Sequence, residues 1–156
     1  MLTAYATELA KYKKLGEQTM AQLSEAALNH VPAADANSIA MIVRHLHGNL
    51  CSRFTDFLTT DGEKPGRNRG LEFSCTAYTR AEVEQYWAEG WAQLESVLSA
   101  LTADDLHRIV TIKGKAMTAN DALCRALAHM AYHVGQIVLL GRIAQGASWQ
   151  YLSTPR

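Results

Sequence analysis

The chain has 156 residues, 48% of them hydrophobic, and its 15 Lys and Arg balance 15 Asp and Glu to a formal charge of zero. This is the size of one ordinary domain with a real core, residues 1–156, and it excludes a disordered tail. Zero net charge argues against a dedicated nucleic-acid binder, which would carry a basic face.

Four long helices are predicted. The first covers about Leu2 to Gln22, with Leu2, Tyr5, Leu9, Tyr12 and Leu15 at spacings of three and four. Lys11, Lys13 and Lys14 read as its solvated face. A short connection holding Val31-Pro32-Ala33-Ala34 leads to the second helix, about Ser38 to Thr59. Asn37 or Ser38 caps it, and Ile39, Val43, Leu46, Leu50, Phe54 and Phe57 form its stripe. A long connection, Thr60 to Tyr78, rich in Gly, Arg and Asp, reads as a crossover or part of a site. Thr-Arg-Ala-Glu82 is a capping box that opens the third helix at Thr79, running to about Ala100. Its stripe is Val83, Tyr86 or Trp87, Leu94, Val97 or Leu98, and Leu101. Arg108 to Lys115 alternates around Gly114 and predicts a small β-hairpin. A second capping box, Thr-Ala-Asn-Asp121, opens the fourth helix at Thr118, which stops at Gly146. Short segments after the first and third helices, Ala21–Leu28 and Ala100–Leu106, each read as a Ser/Thr cap and an extra turn. The expected class is an all-α four-helix bundle with a crossover between its second and third helices.

Cys51, Cys75 and Cys124 are widely spaced, with no Cys-x-x-Cys. They suggest no disulfide framework and fit a reducing cytoplasm. Cys51 and Cys124 fall on helices and are expected in the core. The lysines at 11, 13 and 14 interrupt the apolar run that a signal peptide needs. No run approaches the ~20 apolar residues of a membrane span, because Gly135 and Gln136 break Val134–Leu140. A cytoplasmic protein without a membrane partner is expected. Zero net charge and the spare aromatics Trp87, Trp91 and Trp149 suggest a homodimer.

His129 and His133 lie four residues apart in the fourth helix. That spacing puts both imidazoles on one face, one turn apart, where two neutral rings can grip one metal ion. They flank the apolar stripe Leu123, Leu127, Met130, Val134, Ile137, Val138 and Gly141, with Gln136 further round. No Glu follows the first His, so this is not the His-Glu-x-x-His protease motif. A third ligand has to come from the only other dense cluster, Arg44-His45-Leu46-His47-Gly48-Asn49. His45 and His47 point to different sides of the second helix, and periodicity does not choose between them. A polar flank of His45, Asn49, Ser52 and Asp56 favours His45, with Asn49 a turn away as its hydrogen-bonding partner. Tyr132 is expected to point away from the pair.

The His-Leu-x-x-Asn stretch at His45–Asn49 and the His-x-x-x-His at His129–His133 resemble the DinB/YfiT-like superfamily of four-helix-bundle metalloenzymes. Three further stretches resemble a bacterial branch of it: Ser52–Lys64, Tyr132–Val138 and Trp149–Arg156. The resemblance covers essentially the whole chain. It implies a divalent metal, zinc or nickel, on His45, His129 and His133, and for some relatives a low-molecular-weight thiol as cosubstrate.

Three neutral nitrogens leave an open coordination position, the pattern of a catalytic site. That position could hold a water for hydrolysis or a thiol for transfer to a small organic substrate. No Asp or Glu within a turn of the His pair is an obvious general base, which favours the thiol. The loop Asp61–Ser74 carries Lys64, Arg67, Asn68 and Arg69, which could bind a substrate carboxylate or an acidic group of the thiol. The alternatives are a metal-dependent hydrolase and a metal- or ligand-binding bundle without catalysis.

Overall fold

The side chains of Thr118 and Asp121 each accept from the other's backbone N–H, and this box starts the longest helix, α6 (Ala119–Gln145). The same device, Thr79 with Glu82, starts α5 (Arg80–Ala100). Ser38, not Asn37, caps α3 (Ile39–Phe54) by accepting from Met41 N–H. The other elements of this computed structural model are α1 (Leu2–Met20), α2 (Glu25–Asn29), α4 (Arg69–Glu72), a 3-10 turn (Asp104–His107), β1 (Ile109–Ile112), β2 (Lys115–Thr118) and a closing 3-10 turn (Gly146–Ser148). Residues 1–74 and 77–152 are described. Cys75 and the end of the Trp149–Arg156 motif, from 153 on, lie outside them.

The four long helices share one core. α3 packs on α5 and α6, and α1 packs on α6 and α5. The α3 stripe is buried as expected at Ile39, Val43, Leu46, Leu50, Phe54 and Phe57. The helix nevertheless stops at Phe54, short of Thr59. Thr55 turns to an extended conformation, Asp56 takes φ 49°, and the N–H groups of Thr59 and Thr60 fold back on the Asp56 carbonyl. In α5 the inward residues are Val83, Trp87, Trp91 and Leu94. Trp87 and Trp91 are therefore core residues rather than spare aromatics. Their rings lie 5.5 Å apart, and Trp87 covers Gly16, where any Cβ would overlap the indole. Gly90 lets α5 come close to α3, since a Cβ there would sit 3.1 Å from His47 Cα.

Neither Cys51 nor Cys124 is a core residue: the first is half-buried and the second exposed. α6 is, by length and composition, apolar enough to cross a membrane, and a third of its most apolar stretch is buried. Leu123, Met130, Val134 and Ile137 face the interior of the protein, as in a core helix.

The hairpin closes through Lys113 and Gly114, both at positive φ, in the register Ile112↔Lys115. Asp61 holds this turn to the long loop by accepting from the backbone N–H of Lys113 and Gly114. Gly62 N–H adds a bond to the Thr111 carbonyl. The loop between α3 and α5 is thus pinned at one end of the α3–α6 seam.

Candidate metal centre

The α3–α6 seam brings His45, His129 and His133 together, each offering a ring nitrogen, with those atoms within 4.8 Å of one another. His45 Nε2 and His129 Nε2 are 3.2 Å apart. His133 stacks edge-on to both, at ring-centre distances of 4.9 and 4.5 Å. His47 goes elsewhere. It turns to α5, where its Nε2 lies 3.0 Å from Glu89 and its ring rests on Tyr86.

Two of the three rings are oriented from behind. His45 Nδ1 lies 2.8 Å from Glu72 Oε2, and His133 Nδ1 lies 2.8 Å from Gln136 Oε1. An acceptor on Nδ1 places the proton there and leaves the Nε2 lone pair facing the cluster. Glu72 is itself held by Arg67, whose Nε and Nη2 donate to its two oxygens at 2.7 and 2.9 Å. Gly48 makes room for it, because a Cβ on that turn of α3 would overlap the Glu72 carboxylate. Glu72, not Asn49, is therefore the partner of His45, while Asn49 lines the adjoining cavity. Tyr132 does not point away as expected. Its ring lies 4.7 Å from that of His133, and its hydroxyl accepts from Gln136 Nε2 at 3.2 Å. The two contacts fix the amide that in turn fixes His133. His129 Nδ1 is buried with no hydrogen-bond partner among the described residues.

The electrostatics keep two of the rings, those of His129 and His133, neutral. Burial, then the neighbouring His133, His45, Arg67 and Arg53, pushes His129 down to about 3. Burial also lowers His133, to about 4, against the hydrogen bond it donates to Gln136, with His45 and Arg69 adding to the fall. Burial raises the Glu72 carboxyl, but the hydrogen bonds from His45 and Arg67 outweigh it and bring it down to about 2. At neutral pH His129 and His133 present unprotonated nitrogens, and Glu72 stands behind His45 as a carboxylate.

This donor set fits a divalent ion. Nitrogens about 2.0–2.1 Å from a tetrahedral zinc lie about 3.3 Å from each other, close to the 3.2 Å between His45 and His129. Imidazole nitrogens serve zinc, nickel, iron and copper alike.

A cavity of about 290 Å³ opens beside His45 and His129. Phe54, Phe57 and Ile112 are among its apolar lining residues. Its lining also carries Arg53, Arg67, Arg69, Lys113 and Arg125, and no Asp or Glu lines it among the described residues. Of the loop residues expected to bind substrate, Lys64 donates to the Asp61 carbonyl and Asn68 caps α4. Arg67 holds Glu72, and Arg69 reaches the cavity. Sequence reasoning missed Glu72, Lys113 and Arg125. Arg125 had a signal, since it stands one turn before His129 on the same face of α6.

A family described as "Protein of unknown function (DUF1572)" matches residues 1–156. No curated protein matches the chain. Among solved structures, the crystal structure of a conserved protein from Enterococcus faecalis is similar at a TM-score of 0.71 and 18% identity, covering 94% of this chain and 98% of that one. At that identity the likeness is one of fold.

Proposed function

This chain belongs to the DUF1572 family of unknown function, and we propose that it is a metal-dependent enzyme that activates a low-molecular-weight thiol for transfer to a small organic substrate. In this reading the four long helices form a DinB/YfiT-like bundle, with His45, His129 and His133 as ligands of a zinc or nickel ion. The ion supplies Lewis acidity, lowering the pKa of whatever thiol or water shares the site.

The chain's own residues do the rest. Glu72 and Gln136 hold His45 and His133 in the tautomer that binds metal. Burial keeps protons off His129 and His133. The observation that carries thiol over water is the lining of the cavity, which offers no carboxylate to act as a base among the described residues. Glu72, the carboxylate behind His45, is 1% exposed and already committed to His45 and Arg67. A thiol needs no such base: it gives its proton to solvent, its sulfur bonds to an electrophilic carbon, the bond from that carbon to its leaving group breaks, and the leaving group departs with that electron pair and takes up a proton.

Elemental analysis of protein purified without chelator, beside His45→Ala, His129→Ala and His133→Ala, tests the site. The expected result is about one equivalent of metal in the wild type and a loss in each variant. Titrating bacillithiol, mycothiol, glutathione and cysteine into cobalt-substituted protein tests the thiol through a sulfur-to-metal charge-transfer band. Ester or amide cleavage without any such band would move the assignment to a hydrolase. Neither signal would leave a binding protein.

A further inference from the structure

We propose that the cavity beside the histidine cluster is an anion-binding chamber, and that the molecule it takes carries a carboxylate or phosphate group seated on Arg69, Lys113 and Arg125. The proposal rests on the functional reading above for its chemistry, and on the cavity's own residues for its charge.

The cavity has five cationic side chains and no acidic one among the described residues of its lining. Two of the five are neutralised locally. Arg53 lies 2.7 Å from Glu63, and Arg67 lies 2.7 Å from Glu72. The remaining three, Arg69, Lys113 and Arg125, have no carboxylate within salt-bridge distance among the described residues. They converge from three separate elements: α4, the hairpin turn and α6. The whole chain is neutral, so this concentration of positive charge is local and not a consequence of overall composition.

Guanidinium groups with no salt-bridge partner among the described residues, lining a concave site together with apolar side chains, match an anionic head with a short hydrocarbon body. The volume of about 290 Å³ restricts the occupant to a small molecule. Arg125 stands one turn before His129 on α6, so an anionic group held there leaves the other end of the molecule facing the histidines. His45 and His129 line the same cavity as Arg69, Lys113 and Arg125. The cations and the cluster therefore share one chamber.

Isothermal titration of succinate, inorganic phosphate and the uncharged isostere succinamide into metal-free protein tests this. The expected result is saturable binding of at least one anion and none of succinamide. Preference for succinate assigns a carboxylate ligand, and preference for phosphate a phosphorylated one. Arg69→Gln and Arg125→Gln should each weaken the preferred anion about tenfold, whereas Lys14→Gln on α1 should leave it unchanged. All three positions are exposed, and circular dichroism checks that the variants stay folded. Binding that persists in His129→Ala keeps the chamber even where the metal analysis fails. No saturable binding by the wild type, equal binding of succinamide, or indifference to both arginine substitutions would overturn the proposal.

Discussion

The carboxylate of Glu72 lies 2.8 Å from His45 Nδ1, joining two residues 27 positions apart, one on α4 and one in the middle of α3. The pair is almost fully buried, at 1% and 3% exposure. A carboxylate on the rear nitrogen of a metal-binding imidazole fixes its tautomer and raises its basicity. Glu72→Gln keeps the size but removes the charge, and leaves Arg67 without its bidentate partner. The expected consequence is a fall in metal affinity of about 10–100-fold, read by competition with a chelating dye. An unchanged affinity would remove Glu72 from the site.

Gly48 controls the same contact from the other side. Alanine there places a methyl group on the Glu72 carboxylate. Overpacking costs about 1–3 kcal/mol, and the gain in helix propensity returns at most about 1 kcal/mol. Gly48→Ala should therefore lower the urea midpoint and also weaken metal binding, because Glu72 has to move off His45. Gly135→Ala, on α6 where no atom lies within 4 Å of the added Cβ, should do neither.

The depressed histidines predict how the metal-free protein responds to acid. In the unfolded chain both titrate near 6.5, while in the folded protein His133 titrates at about 4 and His129 at about 3. The folded state thus binds fewer protons between these values. Its stability is fully present above about 6.5 and is lost as pH falls through 4 and then 3. Urea midpoints at pH 7, 5 and 4 should fall more steeply for wild type than for His129→Gln. Parallel profiles would show that these rings are not held neutral.

Much of this was legible in the sequence because it is local. Two capping boxes fixed the starts of α5 and α6, and Gly146 fixed the end of α6. The His129–His133 spacing followed from helix periodicity alone. The choice of His45 over His47 was not local. The helical wheel gives each residue a flank, and only the approach of α5, with Glu89 and Tyr86, shows where His47 goes. Glu72 was illegible for a related reason: it lies in a long connection, and no periodicity relates it to His45. The early stop of α3 depends on a left-handed Asp56, and many Asp residues inside helices show no such turn. The placement of Tyr132 depends on the length of its side chain, which helix periodicity does not carry. Its ring sweeps back to His133 and its hydroxyl meets Gln136.

The hairpin turn offers a last test, independent of any metal. Asp61 accepts from the backbone N–H of Glu63 and Lys113 through Oδ1 and from that of Gly114 through Oδ2. These bonds, that of Gly114 first, hold its carboxyl down to about 2, below the ordinary value of about 3.9. A depressed carboxylate contributes stability above its unfolded pKa, and that contribution is lost as pH falls through the folded value. Asp61→Asn replaces an oxygen acceptor with an amide nitrogen that cannot accept from a backbone N–H. The variant should unfold earlier than wild type at pH 7, by a few degrees. The gap should narrow as pH drops from about 4 to 2, since protonation removes the same acceptor from the wild type. Amide exchange at Lys113 and Gly114 should quicken in the variant at neutral pH. Unchanged exchange there would mean that Asp61 does not anchor the turn that carries Lys113 to the cavity.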